Sequence, residues 1–341
     1  MSLRRTLAVA LLCAQPFSPV FAAEDAAAPA IKWVLPWKQG TTLEYAWEDL
    51  TTNSLNKPER TRSTSTATVR ITEASKKSFV QTWSWRDSKH VVEEGDKAAE
   101  AAMREFAAAM GDVTLEVELD AEGNYARTRN LAEIAPRLRE AMRPLVLAGV
   151  ESNLARISDA DQRAEARKAA MAQIEGYVDR MLAPAVLETL LTRNIQWYNA
   201  FVGIDIEPDQ DYEAKIELPS PLGGAAIPVT ITFSLSVSED DPDDLVVVFE
   251  QKIDRENGGA AVTALLEGLL GTTLPKDQKK LELSIVDEGL FIVHRPSGVV
   301  EMFEATRTAQ FGDKNKIERH RLRLTNGEHD HVWRDEQPEG Q

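Results

Sequence analysis

Residues 229–237 read VTITFSLSV, and this segment constrains the chain more than any other. Val229, Ile231, Phe233, Leu235 and Val237 fall on one parity, and Thr230, Thr232, Ser234 and Ser236 on the other. A period of two is that of a strand with one face buried and one face wet. Such strands belong to antiparallel sheets, because a doubly wound parallel sheet buries both faces. The same alternation recurs at Leu43, Tyr45 and Trp47; at Phe79, Gln81, Trp83 and Trp85; at Val113, Leu115, Val117 and Leu119; and at Tyr212, Ala214, Ile216 and Leu218. A Thr/Ser-rich run, 61–72, lies between the first two of these. Gly, Pro and Asp clusters at 120–124, 239–244, 287–289 and 295–298 have the chemistry of short links between antiparallel neighbours.

Helical spacing interrupts the strands in three places. Residues 96–110 set Ala99, Met103, Phe106 and Met110 on one stripe. An insert of about 130–203 opens with Asn130 and Glu133, spaced as a capping box. It restarts at Ser158 with Asp159 and Asp161 in the first turn, and Pro136, Pro144 and Pro184 are expected to divide it. Residues 259–271 carry Val262, Leu265, Leu266, Leu269 and Leu270, with Thr263 and Glu267 on one narrow polar face. The expected fold class is α+β: a large curved antiparallel sheet with amphipathic helices packed on its apolar face. A single domain over 41–326 is preferred to two domains split near 130 and 205. Strands on both sides of the insert have the same one-wet-face character and need the same cover.

The chain begins with Arg4 and Arg5, an apolar run from Leu7 to Cys13, and SPVFA with Val20 and Ala22 at the positions a signal peptidase reads. Residues 1–22 are therefore expected to be an export signal cut after Ala22, followed by a flexible leader (23–40). The apolar run is far shorter than the ~20 residues a membrane-spanning helix needs, and no transmembrane segment is expected in the mature chain. Leu12 before Cys13 does not fit a lipidation site, and Leu3 before the arginine pair fits a twin-arginine signal poorly. Cys13 is the sole cysteine, so the mature chain is free of disulfides, thiol nucleophiles and cysteine metal sites. The formal charge is −16, and losing Arg4 and Arg5 makes it two units more negative, which disfavours nucleic acid as a partner.

A signal sequence, a long antiparallel sheet with hairpin links and inserted amphipathic helices together resemble the outer-membrane lipoprotein carriers and related periplasmic curved-sheet proteins, and HRPSGVVEMFEATRTAQF (294–311) resembles strand pairs of uncharacterised bacterial exported families. The resemblance is one of architecture over most of residues 40–325. It implies a concave face that holds something lipid-like, and it carries over no functional residue.

Several residue groups invite chemistry, each against a plainer reading. His329 and His331, between Glu328 and Asp330 in the polar tail 327–341, have donors that zinc or copper accepts, but a solvated tail explains them as well and no cofactor is expected. The acidic runs 205–211 and 240–244 lack calcium-loop spacing. Ser54 and Lys57 have S-x-x-K spacing in a polar loop without companion motifs. Arg319, Arg321 and Arg323 make a basic stripe expected to be neutralised across strands by acids such as Glu44, Glu116 or Glu301. The tryptophans, Trp33, Trp37, Trp83 and Trp85 among them, suit core packing better than a ligand platform. Together these features point to an exported periplasmic protein, more a binder than an enzyme, for a lipid-like ligand or an envelope partner. Val262, Leu265, Leu266, Leu269 and Leu270 are the expected apolar contacts. The alternatives are a hydrolase with dispersed catalytic residues, revealed by shifted pKa values in one cleft, and a scaffold with a filled core.

Overall fold

The structure is a computed structural model that describes residues 30–54, 58–95, 100, 101, 104, 108, 113–154, 157–181, 183–218, 226–253, 263, 283–311 and 314–327. In chain order it contains β1 (Ile31–Lys32), β2 (Thr42–Asn53), β3 (Glu59–Ala74), β4 (Phe79–Glu94), β5 (Thr114–Leu119), β6 (Tyr125–Thr128), α1 (Leu131–Leu154), α2 (Ala160–Met181), α3 (Pro184–Asn199), β7 (Asp205–Ile206), β8 (Asp211–Leu218), β9 (Ile227–Val237), β10 (Asp244–Ile253), β11 (Leu283–His294), β12 (Val299–Phe311) and β13 (Lys314–Leu324). Eleven strands form one open antiparallel sheet in the order β6-β5-β4-β3-β2-β13-β12-β11-β10-β9-β8, and β1 pairs with β7. Sheet dominates; α1, α2 and α3 lie between β6 and β7, and residues 100, 101, 104, 108 and 263 are also helical. No helix among the described residues is long and apolar enough to cross a membrane.

Alternation places one face of the sheet against the helices. On it lie Leu43 and Tyr45, Val69 and Ile71, Trp83, Leu115 and Val117, Ile231 and Phe233, Val247, Phe291 and Phe303, all buried. This cluster runs through strands on both sides of the helical insert and includes Ile134, Leu138 and Leu154 of α1. The helix α3 and the turn after it make the central contact. Trp197 stacks on Phe249, with ring centroids 4.4 Å apart, Tyr198 meets Tyr45 and Trp83 edge-on, and Phe201 touches Phe233, Phe249 and Phe291. Glu188, one helix face round, accepts from the Tyr125 hydroxyl and the Thr128 N–H, tying α3 to β6. Residues 31–40, assigned by composition to the leader, carry β1 and the buried Trp33 and Trp37. The Trp33 indole donates to the Gly298 carbonyl in the 295–298 turn. Gly298 has φ +74°, and a Cβ there would strike the Val34 carbonyl, so this close approach requires glycine.

Four local expectations change. The helix α1 runs through Pro136 and Pro144. Each proline removes one backbone bond, but tertiary burial at Ile134 and Leu138 holds the helix together. Asn130 does not cap with its side chain. Its Oδ1 accepts from the Glu116 N–H and its Nδ2 donates to the Thr114 carbonyl, stitching the loop to β5. The side-chain cap of the insert is at Asp159, whose Oδ1 accepts from the Gln162 N–H. Finally, Asp287-Glu288-Gly289 is not a turn but the middle of β11. Gly289 is there because the Phe249 ring lies where its Cβ would be.

Candidate functional site

Along the covered face, the side chains change character from one row to the next. Directly paired residues in an antiparallel sheet share a face. One row reads Val247, Phe291, Phe303, Leu322, Trp47 across β10, β11, β12, β13 and β2. The next reads Phe249, Gly289, Ala305, His320, Asp49, Ser63, His90, extending through β3 to β4. The row beyond reads Gln251, Asp287, Arg307, Glu318, Thr51, Thr61. A polar belt therefore crosses the face that elsewhere forms the core.

The belt is built from three connected groups. Arg307 grips Asp287 in a two-point contact, 2.5 and 2.6 Å, and Gln251 Nε2 donates to Asp287 Oδ2 at 3.1 Å. Both side chains of that ion pair are 5 % exposed. Next, Glu318 accepts from Lys316 at 2.6 Å and from Arg193 at 3.1 Å. Arg193 sits four residues before Trp197, so the helical face that stacks on Phe249 also delivers a cation to the belt. Burial would raise the Glu318 carboxyl. The Lys316 and Arg193 charges, the Lys316 hydrogen bond and Arg307 overcome it and hold Glu318 well below the ordinary carboxylate range.

The third group is an acid–imidazole pair. Asp49 Oδ1 lies 2.6 Å from His320 Nδ1, and the Trp47 indole N–H donates to Asp49 Oδ2 at 2.7 Å. The His320 ring meets Trp47 edge-on at 4.3 Å and approaches Phe303 at 5.8 Å. Loss of water around Asp49 would raise its carboxyl. The His320 charge and hydrogen bond, with the Trp47 N–H and Arg193, bring it below its usual value. His320 is 5 % exposed, whereas Asp49 keeps 41 % of its side chain accessible, so the pair opens to solvent on the Asp49 side. One strand further, Ser63 Oγ and His90 Nδ1 lie 2.8 Å apart, and burial lowers the His90 pKa.

Buried atoms of this belt without a hydrogen-bond partner among the described residues include His320 Nε2, Gln251 Oε1 and His90 Nε2. Each such atom costs about 1–3 kcal/mol when left unpaired. The belt lies at the end of the sheet where β10 stops at Ile253 and β11 starts at Leu283, the span bridged by residues 254–282.

The opposite face has a different character. An open groove of about 580 Å³ is lined by Thr232, Ser234, Val248, Glu250, Glu288 and Leu290, with Glu304 at its side. The basic stripe is also on this face. Arg321 reaches Glu48 at 3.3 Å and Glu304 at 3.6 Å, and Arg319 reaches Glu304 at 3.8 Å. Glu48 and Glu304 neutralise Arg319 and Arg321 across strands. Glu44 pairs instead with Arg86. Lys316, grouped with the stripe by sequence, points to the covered face.

No family model matches the chain, and no curated protein matches it. A solved structure described as "lipid–protein interactions in lipovitellin" is similar to it, with a TM-score of 0.42 and 10 % identity, over 84 % of this chain and 25 % of that one. The chain thus spans about a quarter of the lipovitellin chain, and at this score the likeness carries no argument. These comparisons assign no family, so the resemblance to outer-membrane lipoprotein carriers stands on architecture alone.

The residues singled out from sequence as candidate sites, Val262, Leu265, Leu266, Leu269 and Leu270 and the pair His329 and His331, lie outside the described residues. Thr263, between the first two, is helical. Ser54 bonds Asn315, and Lys57 is outside the described residues. Sequence reading missed the belt. Its signal was nonetheless present: in KIERHRLRL (316–324), Lys316, Glu318 and His320 occupy the parity that Leu322 and Leu324 define as inward.

Proposed function

We propose that the protein is an exported, non-enzymatic envelope protein that holds an amphipathic, lipid-like ligand at the polar belt. One observation carries the reading. On the covered face a buried, in-register polar belt, with acceptors at His320 Nε2 and Gln251 Oε1 that no described residue satisfies, abuts an aromatic core, a boundary suited to a molecule with a polar head and an apolar body. The core half of this face is filled with side chains, so the ligand's place is at the belt end. Val262, Leu265, Leu266, Leu269 and Leu270, in the sequence between β10 and β11, are the proposed apolar contacts. Native mass spectrometry of protein recovered from the envelope tests this, together with fluorescent acyl probes of several head groups. A retained lipid or a saturable probe is expected, and Leu266→Asp should weaken uptake without unfolding the sheet. If neither lipid nor probe binds, the reading fails and the filled-core scaffold replaces it.

The Asp49–His320 pair supports a second reading, a hydrolase that uses His320 as general base. Turnover of acyl esters that is lost in His320→Phe would favour it.

The address is part of the proposal. The mature chain is expected to start at Ala23, so the intact mass of envelope-derived protein should match residues 23–341. A chain that keeps Met1 or carries lipid on Cys13 would overturn it.

A further inference from the structure

Resting on that binding reading, we infer that the belt selects a head group that donates hydrogen bonds, such as the hydroxyl of an acylglycerol, over a carboxylate or phosphate head. On the covered face the cations of the belt are matched by its carboxylates. Arg307 is bound at two points by Asp287, and Arg193 and Lys316 both turn to Glu318. Asp49 adds a further negative charge beside His320. An anionic head would meet no surplus of positive charge here.

Two of the buried belt atoms without a partner among the described residues, His320 Nε2 and Gln251 Oε1, are acceptors. Gln251 donates through Nε2 to a carboxylate, which only accepts, so its Oε1 must point elsewhere. In the neutral His320 ring, Asp49 fixes the proton on Nδ1, because a carboxylate oxygen 2.6 Å away accepts and cannot donate. That leaves Nε2 as a lone-pair acceptor, buried and without a partner among the described residues. The Trp47 N–H locks the other oxygen of Asp49, so the carboxylate cannot turn away. Asp49 is thus a positioning residue that sets which hydrogen-bonding sense His320 offers, and His320 determines head-group specificity.

The test compares three fluorescent probes with one acyl tail and different heads: a monoacylglycerol, a fatty acid and a lysophosphatidic acid. Titrations are run at mildly alkaline pH, where imidazole is ordinarily neutral. The full chain should bind the hydroxyl head about tenfold or more tighter than either anion, the usual scale of one well-placed hydrogen bond. Asp49→Asn gives the sharper outcome. The Trp47 N–H needs the amide oxygen, so the amide nitrogen faces His320 Nδ1 and donates to it. The ring proton must then move to Nε2, which becomes a donor. The preference should invert toward the carboxylate head, and the ¹⁵N spectrum of the ring should report the tautomer change. His320→Phe keeps the ring packing and should leave the three heads within about twofold of one another.

Tighter binding of an anionic head by the unaltered protein overturns the inference and leaves the binding reading intact. So does an unchanged preference in Asp49→Asn once the tautomer has moved. Should Asp49→Asn fail to fold, His320→Phe decides: a preference that survives it overturns the inference. If no probe binds, whatever its head, the inference and the binding reading fall together.

Discussion

The Asp287–Arg307 pair shows how much the belt depends on mutual satisfaction. Two ions at 5 % exposure are costly to desolvate, and their attraction offsets that cost only while both are present. Asp287→Asn should therefore lower unfolding stability by about 3–5 kcal/mol, read as a shift of the urea midpoint. The double replacement Asp287→Leu with Arg307→Met removes both charges at once and should recover most of that loss. A double variant no more stable than the single one would show that the pair has further obligatory partners. Gly289, two residues on, is constrained by shape. An added Cβ would sit inside the Phe249 ring, and that ring is held by its stacking on Trp197. Gly289→Ala should cost about 1–3 kcal/mol by overpacking, with the near-ultraviolet signal of the aromatic cluster disturbed as well. An unchanged urea midpoint would mean that Phe249 repacks freely.

At the scale of elements, α3 is held at its C-terminal end by amides as well as by aromatic rings. Gln81 Nε2 donates to Asn199 Oδ1 at 2.9 Å, Asn199 Nδ2 donates back to Gln81 Oε1 at 3.2 Å, and the Trp83 indole N–H adds a third bond at 2.9 Å. Asn199→Ala strands a buried donor of Gln81 and should cost about 1–3 kcal/mol. Hydrogen exchange should then speed up first in α3. Exchange unchanged there would show that the rings alone hold the helix. Much of the sheet beneath α3 was legible beforehand, because the period-two runs at 43–47, 79–85, 113–119, 212–218 and 229–237 state both the strands and their inward faces. β3 was harder to read, since its Thr/Ser-rich stretch lacks contrast between faces. The mid-strand Asp287-Glu288-Gly289 mimicked a turn, because an ion pair and a ring contact use the same residues that turns favour. The belt was illegible for a related reason. Each of its members looks like an ordinary surface residue until strand register sets them side by side.

For the whole molecule, the belt ties stability to pH in a definite direction. Glu318 is held well below the ordinary carboxylate range, and Asp49 and His90 are also lowered. In each case the folded pKa is below the unfolded one, so the unfolded chain binds more protons and stability rises with pH. His90 contributes a loss as pH falls below about 6.5, and the carboxylates follow below about 4. The contribution of Glu318 is complete above its unfolded pKa and declines until pH passes its much lower folded value. Between those limits unfolding takes up about one extra proton at this site, a slope of about 1.4 kcal/mol per pH unit. The formal charge of −16 works the other way only down to the isoelectric point near 4.9, because below it the molecule is cationic and acidification builds self-repulsion. The two effects separate in a single variant. Glu318→Gln leaves the global charge almost unchanged and removes the site-specific uptake. Urea unfolding between about pH 4 and about pH 2 should therefore show a shallower dependence on pH in Glu318→Gln, by about one proton. Equal slopes in the two proteins would mean that Glu318 titrates alike in the folded and unfolded chains, and that Lys316 and Arg193 do not hold its charge.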